Sequence, residues 1–172
     1  MIKLHKPTFE ELWFRQECMS DPKTMSYNAG YDVSFEGYHR DSGCIDFPKE
    51  KWKTWCDEKL NNPNFFYAYI LDLETNQFVG YCNFNNNPET NTATIGIVIK
   101  HEYQGKGYMR PALGLLFENA KERGVKILTD TVPQSRERAL RVFYDLGFKK
   151  TQKFVSKKFD NDEVVIKIEK ML

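Results

Sequence analysis

The segment TATIGIVIKHEYQGKGYMRPALGLLFENAKERG, residues 92–124, decides how the chain is organised. Its first nine residues are apolar and β-branched and read as a strand. A short polar stretch with two glycines follows. After it, Met109, Ala112, Leu113, Leu116, Phe117 and Ala120 recur at helical spacing on one face, and Gly124 stands where a C-terminal cap belongs. Pro111 is tolerated because the first-turn N–H groups of a helix have no intrahelical acceptor. The next stretch, VKILTDTV (125–132), is again strand-like, so the unit is strand–helix–strand and implies a parallel crossover.

Outward from this unit the chain alternates strands and helices. IKL opens it, and Thr8 with Glu11 three residues later forms a capping-box signal for a helix whose apolar face carries Phe9, Leu12, Trp13 and Met19. Residues 20–47 are aperiodic and rich in Asp, Ser, Gly and Tyr, with room for a turn of helix; loops of that length inside a domain usually have a function. Pro48 suits the first turn of a second helix carrying Trp52, Trp55, Cys56 and Leu60. FFYAYILD and QFVGYCNFN pair as a hairpin. SRERALRVFYDLG reads as a helix from a Ser135 cap to Gly147, and KKTQKFVSKKFD and EVVIKIEKML close the chain as two strands. The expected fold is α/β (α+β): a mixed, mostly antiparallel central sheet of about seven strands flanked by four helices, in one domain over residues 1–172.

The glycine turn has a chemical meaning. N–H groups at a helix start point outward, backed by the positive end of the helix dipole. Gly105 and Gly107 carry no side chain to hold a phosphate away, and both allow the φ > 0 conformations that turn successive amides toward one point. Lys106 adds a mobile charge, so a pyrophosphate is the natural ligand. The P-loop pattern is absent, and G-x-G-x-x-G fails because the next glycine is Gly114. A tight turn without a ligand is the competing reading of the tripeptide alone.

Composition excludes other classes. Lys+Arg 25 against Asp+Glu 24 gives a net charge of +1, so no overall field draws in nucleic acid or an anionic membrane. The lysines at 149, 150, 153, 157 and 158 read as protection of a sheet edge. No apolar run reaches membrane-spanning length and the first residues lack a signal peptide's apolar core, so a cytoplasmic location is expected. Cys18, Cys44, Cys56 and Cys82 show no C-x-x-C, and the three histidines are dispersed; a metal site is not expected.

Residues 92–148 resemble the GCN5-related N-acetyltransferases (GNAT family): a strand, Q/R-x-x-G-x-G/A, a helix, a strand and a second helix ending in LGF. Here the signature reads Gln104, Gly105, Lys106, Gly107, Tyr108, Met109, with Met109 where the family has Gly or Ala. The resemblance implies acetyl-CoA as cofactor, its pyrophosphate on the backbone from Gln104 through Arg110 and its pantetheine arm beside Ile97, Val98 and Ile99, bonded as an added strand. Gly96 then marks a bulge that opens the slot. The amide of Val98 or Ile99 is the implied oxyanion donor.

The same resemblance places a proton-donating Tyr where this chain has Phe143, leaving the adjacent Tyr144 as the candidate acid, with solvent as the alternative; Arg136 replaces the family's Asn. His101, Glu102 and Asp130 are ionisable groups expected near strand ends on the active face. Tyr31, Asp32 and Tyr38 in the long loop combine aromatic surface with negative charge, which suits a cationic amine. The implied activity is acetyl transfer from acetyl-CoA to a primary amine of a small molecule by direct attack in a ternary complex. Alternatives are a protein N-terminus or lysine as acceptor, or a non-catalytic CoA-binding module. No nucleic-acid or membrane partner is expected, and a homodimer is compatible with the chain.

Overall fold

Alternation along the strands sorts the side chains onto two faces of one sheet, and the helices cover both. The computed structural model describes residues 1–172. The strands are β1 (Ile2–His5), β2 (Phe65–Asp72), β3 (Gln77–Asn87), β4 (Thr92–Ile99), β5 (Ile127–Pro133), β6 (Lys149–Ser156) and β7 (Glu163–Met171). The helices are α1 (Trp13–Ser20), α2 (Pro22–Met25), α3 (Lys49–Trp55), α4 (Met109–Glu122) and α5 (Glu137–Asp145), with a π-helical turn extending α3 over Cys56–Leu60. All seven strands form one sheet in the order β1-β2-β3-β4-β5-β7-β6. Only β4 and β5 run parallel.

On one face Tyr67, Tyr69 and Tyr81 of β2 and β3 pack with Phe14 and Cys18 of α1. On the other, Ile70, Cys82, Phe84 and Ile95 meet Leu113 and Leu116 of α4 and Phe143 of α5. Neighbours on β3 such as Tyr81 and Cys82 thus serve opposite layers, as the period of two requires. The basic strand β6 is the sheet edge, where exposed lysines discourage pairing with another chain.

The seven strands stand where the periodicity placed them; the helices need corrections. Five helices are present instead of four, because residues 22–25 form a turn whose first N–H groups, on Lys23 and Thr24, donate to the side chain of Asp21. In α1 the buried residues are Phe14, Cys18 and Met19, whereas Trp13 is 49% exposed. Ser135 does not cap α5, which starts after Arg136. The bulge expected at Gly96 is absent: β3 and β4 keep one register from Gly80↔Ile99 to Asn87↔Thr92. A Cβ at Gly96 would lie 3.1 Å from the side-chain amide of Asn83, its cross-strand partner, so close side-chain approach accounts for the glycine.

Residues 26–47 are ordered by their own hydrogen bonds and by a strap to the far end of the sheet. The Tyr38 hydroxyl donates to the Asn28 carbonyl at 2.7 Å, and the Phe159 N–H donates to the Gly30 carbonyl at 2.8 Å. Gly80 holds a further close approach, since a Cβ there would collide with the backbone carbonyl of Val98 on β4. Gly80→Ala is therefore expected to destabilise the fold by about 1–3 kcal/mol, the usual cost of overpacking. Denaturant unfolding checks this; a loss under about 0.5 kcal/mol would show that β3 and β4 can separate at little cost.

Candidate active site

The site grows from a break in the sheet. β4 and β5 pair only over Thr92↔Ile127, Ala93↔Leu128 and Thr94↔Thr129, while β4 stays paired with β3 to its end. Beyond Thr94 one edge of β4 has no strand beside it. Its groups follow from the antiparallel alternation with β3. The Lys100 N–H donates to the Val79 carbonyl, so the next hydrogen-bonded pair is Val98 with Tyr81, and the amides of Ile97 and Ile99 turn to the other edge. The expected choice of Val98 or Ile99 as oxyanion donor is thereby narrowed. Val98 spends its N–H on β3; Ile97 and Ile99 do not.

At the end of this edge stands the glycine turn. Gly105 and Gly107 have φ of 76° and 87°, in the region that side chains disfavour, and an added Cβ at either would meet nothing within 4 Å. Conformation requires the glycines, and the space above them is open to a ligand. The Gln104 side chain donates to the Ile99 carbonyl at 2.9 Å, tying the turn to the free edge, and Lys106 lies 5.3 Å from the Tyr103 ring. Tyr108 and Met109 pack on the core; the Tyr108 hydroxyl donates to Asp72 at 2.7 Å. Arg110 pairs with Asp145 of α5 at 2.6 Å. Backbone amides, an open cradle and a mobile cation fit the diphosphate of a coenzyme A, and the free β4 edge fits its amide-bearing arm.

In α5 the core-facing position belongs to Phe143, and its neighbour Tyr144 is exposed. Phe143 is 2% exposed and packs edge-on against Phe148 at 5.1 Å; Tyr144 is 42% exposed on the solvent side. The ionisable group at the gap is Asp130, one residue past the last β4–β5 pair and on the same side of β5 as buried Leu128 and Val132. Burial pushes its carboxyl up to about 7, against the Thr131 N–H and Arg136, which favour the charged form. His101 and Glu102 lie in the turn after β4, where Lys100 pairs with Glu102 and with Glu17.

On the opposite face of β3 and β4 aromatic rings gather around a charge that sequence reasoning did not single out. Arg15 of α1 lies among the rings of Trp55, Phe47, Tyr67 and Tyr81, with Cζ at 4.4, 5.1, 5.2 and 5.7 Å from their centroids. Its Nη1 donates to the Tyr67 hydroxyl at 3.2 Å. The signal was present: Arg15 is three residues from both Leu12 and Cys18, on the buried side of the helix. Tyr31, Asp32 and Tyr38 make contacts within the loop and to the segment after β6. Tyr31 bridges to Lys158, Asp32 approaches Arg40 at 3.9 Å, and Tyr38 accepts from the Tyr31 N–H.

A family model, "Acetyltransferase (GNAT) family", matches residues 30–148, more than half of the chain. The chain belongs to the GNAT family, the acetyl-CoA-dependent N-acetyltransferases. Among solved structures it is similar to spermidine N-acetyltransferase from Vibrio cholerae in complex with CoA and spermine, at 16% identity and TM-score 0.80, covering 99% of this chain and 95% of the other. It is also similar to a putative acetyltransferase from Acinetobacter baylyi ADP1, at 17% identity and TM-score 0.77, covering 100% and 92%. No curated protein matches it in sequence.

Two outcomes follow. Gly107→Asp is expected to weaken CoA binding at least about tenfold relative to Gly107→Asn, because both residues tolerate φ > 0 and only Asp sets a charge against the diphosphate; equal affinities by calorimetry would remove the diphosphate from this turn. For Asp130, a folded-state pKa raised to about 7 means that its contribution to stability is present below the ordinary carboxylate pKa and is lost as pH rises through 7. Asp130→Asn should therefore raise Tm relative to wild type more at pH 8 than at pH 4.5. A pH-independent difference would place the carboxyl in an ordinary environment.

Proposed function

We propose that the protein transfers the acetyl group of acetyl-CoA to a primary amine of a small molecule, by direct attack in a ternary complex. The observation that carries this reading is the free edge of β4 beside the glycine turn, with an aromatic-lined cation on the face behind it. Ile97 and Ile99 side chains pack on the α4 side, while Val98 packs with Tyr81 on the side of Arg15. Aromatic rings around a fixed charge are the kind of surface that recognises a small molecule.

Acetyl-CoA, when bound, supplies the acyl group as an activated thioester. The chain supplies the rest. The N–H groups of Ile97 and Ile99, unspent on β3, are donors of the kind that stabilise a developing oxyanion. The glycine turn anchors the distant diphosphate, which holds the reacting end in place. Phe143 has no proton to give, and Tyr144 faces solvent. Asp130 holds a proton to near neutral pH and borders the gap between β4 and β5, which makes it the general acid of this reading.

Asp130→Asn is expected to lower kcat about tenfold or more, with CoA affinity preserved, and Tyr144→Phe to leave kcat within about twofold. Thiol release from acetyl-CoA over a panel of amines measures both. A collapse of kcat in Tyr144→Phe with a wild-type melting temperature would return the acid to Tyr144. CoA binding without thiol release on any amine would sink the enzyme reading itself.

A further inference from the structure

The charge held by Arg15 carries information about the acceptor. Arg15 forms no ion pair: the titratable groups around its guanidinium are Tyr67, Tyr81 and Tyr69, and none is a carboxylate. Its Nε is buried without a hydrogen-bond partner, and it is one of two such orphaned side-chain atoms in the molecule. Nη1 is spent on Tyr67, so the Nε/Nη2 edge remains, the edge whose fork matches the two oxygens of a carboxylate. A guanidinium cannot shed its proton to escape burial. Ring faces offset part of the desolvation cost but leave the donors unmet.

The guanidinium also lies close to the coenzyme strand. Tyr81 bears on Arg15 and is the cross-strand partner of Val98, so the guanidinium and the acyl position lie over adjoining strands on one face. Tyr27 approaches Tyr81, and the Arg136 guanidinium lies 5.4 Å from the Tyr27 ring, so a second cation without an ion pair borders the same region. A polyamine would bring positive charge toward Arg15. An amine with an acid group a few bonds away would bring its anion to Arg15 and its nitrogen toward Val98.

Resting on the acetyltransferase reading above, we propose that the acceptor is an amine that also bears a carboxylate, of the amino-acid class, and that Arg15 receives the carboxylate. One guanidinium fork among aromatic rings balances a single negative charge, which favours a carboxylate over a phosphate dianion. The reaction forms the amide N–C bond and breaks the thioester C–S bond; the amine loses one proton and the thiolate gains one.

The test uses the purified full chain with acetyl-CoA and measures thiol release on the twenty common amino acids, their carboxamides, the corresponding decarboxylated amines and spermidine. At least one amino acid should exceed its carboxamide in kcat/KM by about 30-fold or more, and spermidine should be a poorer acceptor than that amino acid. Arg15→Met should bring the acid-to-amide ratio to within about threefold by raising KM for the acid, and Arg15→Lys, which keeps the charge but not the fork, should give an intermediate ratio. Tyr67→Phe retains the ring and removes only the hydroxyl that holds Nη1; it should change KM for the acid severalfold even if Arg15 variants fail to fold. Carboxamides, simple amines or spermidine accepted as well as the acids would overturn the inference and leave the enzyme intact. A carboxylate preference surviving in folded Arg15→Met would overturn it too. Absence of transfer to every compound, with CoA still bound, would overturn the enzyme reading and this inference together.

Discussion

Two parallel strands that part after three residue pairs are the constraint on which the rest of the site depends. A sheet normally consumes the hydrogen-bonding groups of an interior strand on both edges, and buried groups left over are costly. Here β4 is central in the strand order yet loses its β5 neighbour after Thr94. The unspent amides of Ile97 and Ile99 persist because these residues are only partly buried. A bound chain with amide groups of its own can complete the ladder.

Position and chemistry follow from that opening. The strand leaves it through the glycine turn, whose left-handed residues set open backbone where a diphosphate fits. Lys100 anchors the strand end to α1 and to the turn through Glu17 and Glu102. α5 packs Phe143 into the core, and Asp130 follows the last β4–β5 pair. In the proposed reading one strand offers its edge to the coenzyme and one face to the acceptor, so the first does not use the side chains that would meet the second.

The acceptor side is governed by a charge held where the fold would do without it. α1 could close its buried side with an apolar residue at position 15, as it does with Phe14, Cys18 and Met19. Instead a guanidinium sits among four aromatic rings with no carboxylate to neutralise it. The fold tolerates this because the rings solvate the cation's faces, while its Nε has no partner within the chain. Spermine bound to the Vibrio cholerae relative is a cation, so a shared fold at 16% identity does not transfer the acceptor.

What the sequence determined by itself was whatever depends on local pattern. Runs of β-branched and aromatic residues placed the strands, helical spacing placed α4, and Gly105 and Gly107 announced a turn whose φ values admit little else. The elements of the proposed coenzyme site were legible because they are contiguous: strand edge, turn and helix start follow one another over residues 97–110. Tertiary structure alone decided the remainder, because it depends on residues distant in sequence. Whether Val98 or its neighbours own the free amides is settled by register against β3, which no property of β4 encodes. Tyr144 stood next to the expected position, and only the packing of α5 turned it to solvent and Phe143 inward. Arg15, Trp55, Tyr67 and Tyr81 come from four separate elements, and a lone arginine on a helix carries no mark of the rings that will surround it until those elements pack.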